Sequence, residues 1–166
     1  MAEYDLGFAA KLAETADLLD ERQPHNNDAR RVMVYLSRLS MEISLKALLE
    51  QAGKPVQQIR SRSHELNDLL ADLDECEVAS SSNDASMIWT SANVVREQKI
   101  DLGMVKIPIG ELVVATHPDL SKYPNQIRYG ATVVDFHPVF LIASAKVLVS
   151  WAHNHWKTIR WRHGDC

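Results

Sequence analysis

Apolar residues recur at helical spacing over five stretches of the chain. From about Tyr4 to Glu21, Tyr4, Phe8, Leu12, Thr15 and Leu19 fall on one stripe at the three-and-four spacing of an amphipathic helix. Ala9, Ala13 and Ala16 flank that stripe and would let a neighbouring helix approach closely. Pro24 in "RQPHNND" stops the pattern. A second helix runs from about Ala29 to Ala52, with Asp28 placed to cap it and Gly53 to end it. It carries two opposed apolar stripes: Val32, Leu36, Leu39, Ile43 and Ala47 on one side, and Val34, Met41, Leu45, Leu48 and Ala52 on the other. A surface helix needs one such stripe. Two predict a central helix packed on both sides, or one at a dimer interface. Ser37, Ser40 and Ser44 line one flank, and Arg38, Glu42 and Lys46 the other as successive i,i+4 ion pairs.

The third predicted helix spans His64 to Val78, capped by Ser63, and buries Leu66, Leu69, Leu70, Leu73 and Cys76. A loop, "SSSND", precedes a fourth helix from about Ala85 to Lys99 that buries Ile88, Trp89, Ala92 and Val95. Residues 100–134 lose the helical period. "MVKIPIGELVVAT" has β-branched residues, Pro108 and Gly110, and fits either a short hairpin or an extended arm. A non-helical stretch of this length inside a small domain is more often functional than idle. The last helix starts near Phe136, with Pro138 in its first turn, and runs to about Ile159. It is apolar around most of its circumference, leaving Lys146, Ser150, His153 and Lys157 as one wet face. The tail "RWRHGDC" is polar and expected to fray. These elements predict one all-α domain over residues 1–166: a four- to five-helix up-and-down bundle with a long insertion before its last helix.

Composition fits that picture. The chain has 166 residues, 46% of them hydrophobic and 24% charged, enough for one domain with a real core. Its net charge of −4 gives no global attraction to nucleic acid. The charge is uneven: residues 1–100 hold 11 Lys+Arg against 17 Asp+Glu, while residues 101–166 hold 7 against 5. A polyanion site therefore belongs in the second half or on a local patch. Cys76 and Cys166 are too few for a disulfide framework or a cysteine-rich zinc site. The acidic start "MAEYDLGFAA" lacks the basic and apolar regions of a signal peptide. The longest apolar run, Pro138–Ala152, holds 15 residues including Lys146, short of the roughly 20 that a membrane span needs. A cytoplasmic protein with no membrane partner is expected.

Several side-chain clusters could carry chemistry. Arg60, Arg62 and His64 stand at the predicted start of the third helix, where backbone N–H groups and the helix dipole attract phosphate. The same residues could simply cap the helix and screen its acidic face. Lys122, Tyr123, Arg128 and Tyr129 interleave cations with aromatics, as base stacking with phosphate contact requires. They would serve equally as a loop packed down by its tyrosines. Lys146, His153 and Lys157 share one helical face, either a stripe in a dimer cleft or a solvated surface. His153 and His155 lie two apart, about 200° around a helix, and cannot chelate one ion, so no metal and no cofactor is expected. Trp156, Arg160, Trp161 and Arg162 could lie on nucleic acid or anchor the C-terminus to the bundle.

Three segments together resemble a known family. "YLSRLSMEISLKALLEQAGKPV" (35–56) is followed by "SHELNDLLADL" (63–73) and later by "KYPNQIRYG" (122–130) before a long final helix. This order resembles HEPN-domain proteins (higher eukaryotes and prokaryotes nucleotide-binding). The matching positions are Glu42, Leu45, Lys46, Ala47, Leu48 and Leu49; Ser63, His64, Glu65 and Leu66; and Tyr123 and Pro124. The resemblance covers roughly residues 5–75 and 120–157. It implies a four-helix bundle, a homodimer, and work on RNA or nucleotides. Many such proteins are metal-independent ribonucleases, often toxins paired with a nucleotidyltransferase-type protein.

The ribonucleases of that family carry Arg-x4–6-His near the last helix, Arg for phosphate charge and His as acid or base. Arg128 and His137 have eight residues between them, and only Lys146-x6-His153 and Lys157-x5-His163 fit the spacing, with Lys in place of Arg. The departure favours a module that binds RNA, a nucleotide or a partner protein without efficient catalysis. A degenerate ribonuclease would instead use His64 or His153 as acid or base, with Arg60, Arg128 or Lys146 on the phosphate. A third reading is a structural interaction protein that docks through residues 100–134.

Overall fold

The computed structural model describes residues 2–81, 87–103, 105–115, 124–129 and 137–162. Three long helices carry the molecule: α1 (Leu6–Arg22), α2 (Asn27–Ala52) and, much later, α7 (Pro138–His155). Each begins on a side-chain cap. Asp5 accepts from the N–H groups of Gly7 and Phe8, Asn26 from those of Asp28 and Ala29, and His137 from that of Val139. Asn26 therefore does the work expected of Asp28. Gly53 ends α2 at φ 99°, a left-handed conformation that costs a glycine little. At 26 residues α2 is about 39 Å long and packs against both α1 and α7, as its two apolar stripes predict.

The face that α1 buries is not the expected one. Leu6, Ala9, Ala13 and Ala16 are buried, whereas Phe8 is 52% exposed. The alanines meet the small face of α2, where Ser37, Ser40 and Ser44 are fully buried. Small residues on both sides let the helices close to backbone contact, and Ser40 Oγ donates to the carbonyl of Ala9 at 2.7 Å. Phe8 is too large for that seam and stays outside.

The all-α expectation is only roughly met, because the mostly helical chain also contains antiparallel sheet. The third predicted helix is broken into pieces. A short helix, α3 (Val56–Ser61), precedes it, and the predicted range itself forms α4 (Leu66–Asp72), one 3₁₀ turn (Leu73–Glu75) and then strand β1 (Cys76–Ser81). The leucine stripe is buried as expected, but the helix stops at its end. The fourth predicted helix is strand β2 (Met87–Ser91) followed by a 3₁₀ segment (Ala92–Glu97). Residues expected to lie in the last helix or a frayed tail form strand β5 (Ile159–Trp161). These three strands make an antiparallel sheet of order β2-β1-β5, with Ala79 opposite Trp89 and Glu77 opposite Arg160.

The described part of the insertion is also structured. Strands β3 (Lys99–Asp101) and β4 (Lys106–Pro108) pair antiparallel, and α5 (Ile109–Ala115) and α6 (Asn125–Arg128) follow. The hairpin expected within residues 104–116 is met only in part: β4 lies there but pairs back with residues 99–101, and residues 109–115 and 125–128, expected to be non-helical, are helices, while the rest of the expected arm falls partly on residues outside the described ones. One main core gathers Met41, Leu45, Leu48 and Leu49 of α2, the leucines of α4, and Leu141, Leu148 and Trp151 of α7. Trp156 and Trp161 pack against it, so the tail tryptophans anchor the C-terminus. Among the described residues no helix is long and apolar enough to cross a membrane.

Candidate functional site

Polar residues on one side of α2 form a stripe: Arg31, Tyr35, Arg38, Glu42, Lys46 and Glu50 follow at three- and four-residue steps. The sequence suggests successive i,i+4 ion pairs for Arg38, Glu42 and Lys46 along one flank of the helix. In the fold all three are buried. Glu42 accepts from Lys46 Nζ at 2.8 Å, and both of its oxygens lie 3.0–3.1 Å from His64 Nδ1. Two of the motif segments thus meet at one carboxylate.

His64 reaches it because it lies outside any helix. Ser63 sits at φ 50°, in the left-handed region, and α4 starts only at Leu66. The imidazole is 42% exposed while its partner carboxylate is 6% exposed. A buried carboxylate that orients a half-exposed imidazole is the arrangement that general acid–base chemistry uses.

The N-terminal end of the chain is strapped over the far end of the stripe. Glu50 accepts from the backbone N–H groups of Glu3 and Tyr4 at 2.8–3.0 Å. The Tyr4 ring lies over Lys46, 5.6 Å from Nζ to the centroid. Burial, and then hydrogen bonding to Glu3, push the Tyr4 phenol up to about 12.

The two arginines before His64 do not stand open to an anion. Arg60 grips Glu3 with two bonds of 2.8 and 2.6 Å, which holds the Glu3 carboxyl below its ordinary range. Arg62 grips Asp72 in the same way at 3.0 and 2.8 Å. The α4 start that they were expected to flank has no side-chain cap. Lys146 pairs with Asp17 across α1 and α7 at 2.5 Å.

At the other end of the stripe, α6 brings Arg128 onto α2. Its guanidinium lies 5.3 Å from the Tyr35 ring centroid, and Nε donates to the Tyr35 hydroxyl at 2.9 Å. Arg31 donates to the carbonyl of Ile127 at 3.0 Å. Asp28, Arg31, Tyr35 and Arg128 border a depression of about 350 Å³ floored by Val32 and Ile127. Tyr129, beside it, is largely exposed. Lys122 and Tyr123 lie outside the described residues.

His153 is on the wet face of α7, with Nδ1 3.0 Å from the carbonyl of Val149. His155 faces another way. Its ring lies tilted against Trp151, 4.4 Å between centroids, and burial lowers its pKa. Among the described residues no group of three His, Cys, Asp or Glu could hold a metal ion.

The sequence singles out His64 and Arg128, which the fold places along this stripe, and passes over Tyr35, Arg31 and the buried state of Glu42. The one available signal is the regular polar step down a helix that is apolar on both adjoining faces. Comparisons with protein-family models, with curated proteins and with solved structures find no match for this chain.

Proposed function

We propose that the chain is a HEPN-like module that binds RNA or a nucleotide without cutting it efficiently. The observation that supports this best is the Tyr35 depression, where two guanidiniums flank one phenol ring. A ring offers a stacking face to any base, and Arg31 and Arg128 supply charge for phosphate. Arg31 also pairs with the exposed Asp28 at 3.1 Å, and the cations at Arg60, Arg62 and Lys146 are each held by a carboxylate, so the phosphate contacts are few.

Binding to a fluorescent single-stranded RNA, followed by anisotropy, tests this. With two phosphates neutralised, the affinity should fall with salt at a log–log slope of about −1.4. Arg128→Ala should weaken binding roughly tenfold and halve that slope. Salt-independent binding, or an unchanged Arg128→Ala variant, would overturn the assignment.

A metal-independent ribonuclease is the second reading, and the Glu42–His64 contact favours it. The same RNA incubated in EDTA decides between them. Cleavage that disappears in His64→Ala replaces the binding-only reading with the catalytic one.

A homodimer belongs to the same proposal. Phe8 and Leu18 of α1 and Val32 of α2 leave large apolar side chains exposed. Sedimentation equilibrium at micromolar concentration should give twice the chain mass. A monodisperse monomer would remove the dimer from the proposal.

A further inference from the structure

Strand β2 (Met87–Ser91) is an edge of the three-stranded sheet. It pairs with β1 on one side, and among the described residues no strand pairs with the other. An unpaired edge presents a row of backbone N–H and C=O groups that another extended strand can meet in register. We infer that β2 is a docking edge for a second copy of this chain, whose own β2 adds antiparallel across a two-fold axis to make one six-stranded sheet. The inference rests on the homodimer proposed above and gives it an interface.

Proteins guard such an edge with a charge, a proline or a very short strand. The opposite edge, β5, is guarded: it has three residues, with Arg160 at its centre and Arg162 just after it. The β2 edge has none of these devices. It runs five residues, "MIWTS", and among the described strands it alone carries no charged residue. Glu77 stands in β1, Lys99 and Asp101 in β3, Lys106 in β4 and Arg160 in β5. Under two-fold symmetry a strand meets itself, so a charge near the axis would face its like. An uncharged strand can face itself without that cost. It also holds nothing by which a charged partner would be selected.

The apolar side chains of the edge support the same occupant. Met87 is 64% exposed and Ile88 51%. Successive residues of a strand face opposite sides of the sheet, so both faces are bare at this edge and an added strand covers both. The strand is also held in place beforehand. The Arg160 guanidinium lies 3.6 Å from the centroid of the Trp89 ring and donates to Glu77 Oε2 at 2.9 Å, so little ordering is left for association. With the axis at Trp89 all five residues pair, Met87 opposite Ser91 and Ile88 opposite Thr90. The edges that remain are the two guarded β5 strands, and growth stops at two chains.

Sedimentation equilibrium of the full chain at micromolar concentration tests the inference. Wild type should give twice the chain mass. Ile88→Lys and Met87→Lys place a charge at exposed positions, and each should give the mass of one chain with an unchanged far-UV circular dichroism spectrum. Ile88→Glu alone should do the same. An equimolar mixture of Ile88→Lys and Ile88→Glu should recover the double mass, because the two positions 88 lie diagonally across the axis, within reach of long side chains.

A wild-type dimer that both lysine variants leave intact, or that Phe8→Lys breaks and they do not, overturns the inference and leaves the homodimer standing on another surface. A mixture that stays at the single mass overturns the pairing of β2 with itself. A monomeric wild type overturns the inference and the homodimer together, and leaves the edge to a strand of another protein.

Discussion

Glu42→Ala should destabilise the protein by about 3–5 kcal/mol, the cost of removing one partner from a buried ion pair. Its carboxylate is 6% exposed and Lys46 beside it 9%, with 2.8 Å between the charged atoms. Ala would leave the Lys46 ammonium buried, with no carboxylate at that position and the methylene space of the side chain unfilled. A lysine can lose its proton or swing outward, but both routes disturb the Tyr4 ring that lies on it. Glu42→Gln should cost only about 1.5–2 kcal/mol, because its amide oxygen still accepts from Lys46. Urea denaturation of the two variants measures both. A loss below about 1 kcal/mol for Ala would mean that water reaches Lys46 and that the stripe is not buried in solution. The functional weight of the residue reads separately: Glu42→Gln, which keeps the fold, should still bind RNA if His64 is a positioned neighbour and not a catalytic base.

That carboxylate also marks where the sequence could be read and where it could not. Long helices were legible because their signal is local. The period of α2, the breaks at Pro24 and Gly53, and Pro138 at the start of α7 all lie within the element they define. The sheet was not, because its stabilisation is distant. Cys76–Val78 becomes a strand by pairing with Trp161–Ile159, more than 80 residues away. The leucine stripe of α4 runs smoothly into Cys76, so periodicity alone carries a helix onward past Glu75. What could have corrected it is the alternation in "CEV" and "IRW": Cys76 and Val78 are buried and Glu77 is turned outward, while Ile159 is buried and Arg160 exposed. At three residues each, such alternations are too short to outweigh a stripe of about three turns. "MIWTS" had the better signal, a β-branched and aromatic run that suits a strand.

The site was read in fragments for a related reason. Spacing put Arg60, Arg62 and His64 together, and proximity in sequence suggested one anion site. In the fold they diverge toward three different carboxylates, on Glu3, Asp72 and Glu42. Arg128, read as part of a loop, finds its partner 93 residues back on Tyr35. A cation in a sequence announces a charge but not its counter-charge. With 22 acidic residues in the chain, pairing inside the fold competes with any phosphate.

Lys54→Ala should cost about 3 kcal/mol at neutral pH and distinctly less in acid. Lys54 follows the glycine that ends α2, and its side chain is 2% exposed. Nζ lies 3.2 Å from Asp72 Oδ1, which is itself buried, and 2.9 Å from Glu75 Oε2. The lysine therefore ties the end of α2 to α4 and the turn before β1, and Glu75 passes the tie on to β5 by accepting from Trp161 Nε1. Arg62 holds the same Asp72, but it is 40% exposed and can rehydrate, so Arg62→Ala should cost under about 1 kcal/mol. The order of the two effects is the test of which cation stabilises the junction. The pH dependence follows from Glu75, whose pKa is lowered chiefly by the hydrogen bond from Lys54. A carboxyl with a depressed folded pKa stabilises the native state fully above its unfolded value, near 4.5, and loses that contribution as pH falls through the folded value. Glu75 is half exposed, so solvent screening makes its share the smaller one. Thermal melts of wild type and Lys54→Ala at pH 7 and pH 3 should therefore converge in acid without meeting. Parallel melts at the two pH values would show that Glu75 adds nothing to the Lys54 tie, and an Arg62→Ala loss as large as that of Lys54→Ala would place the anchor on the arginine.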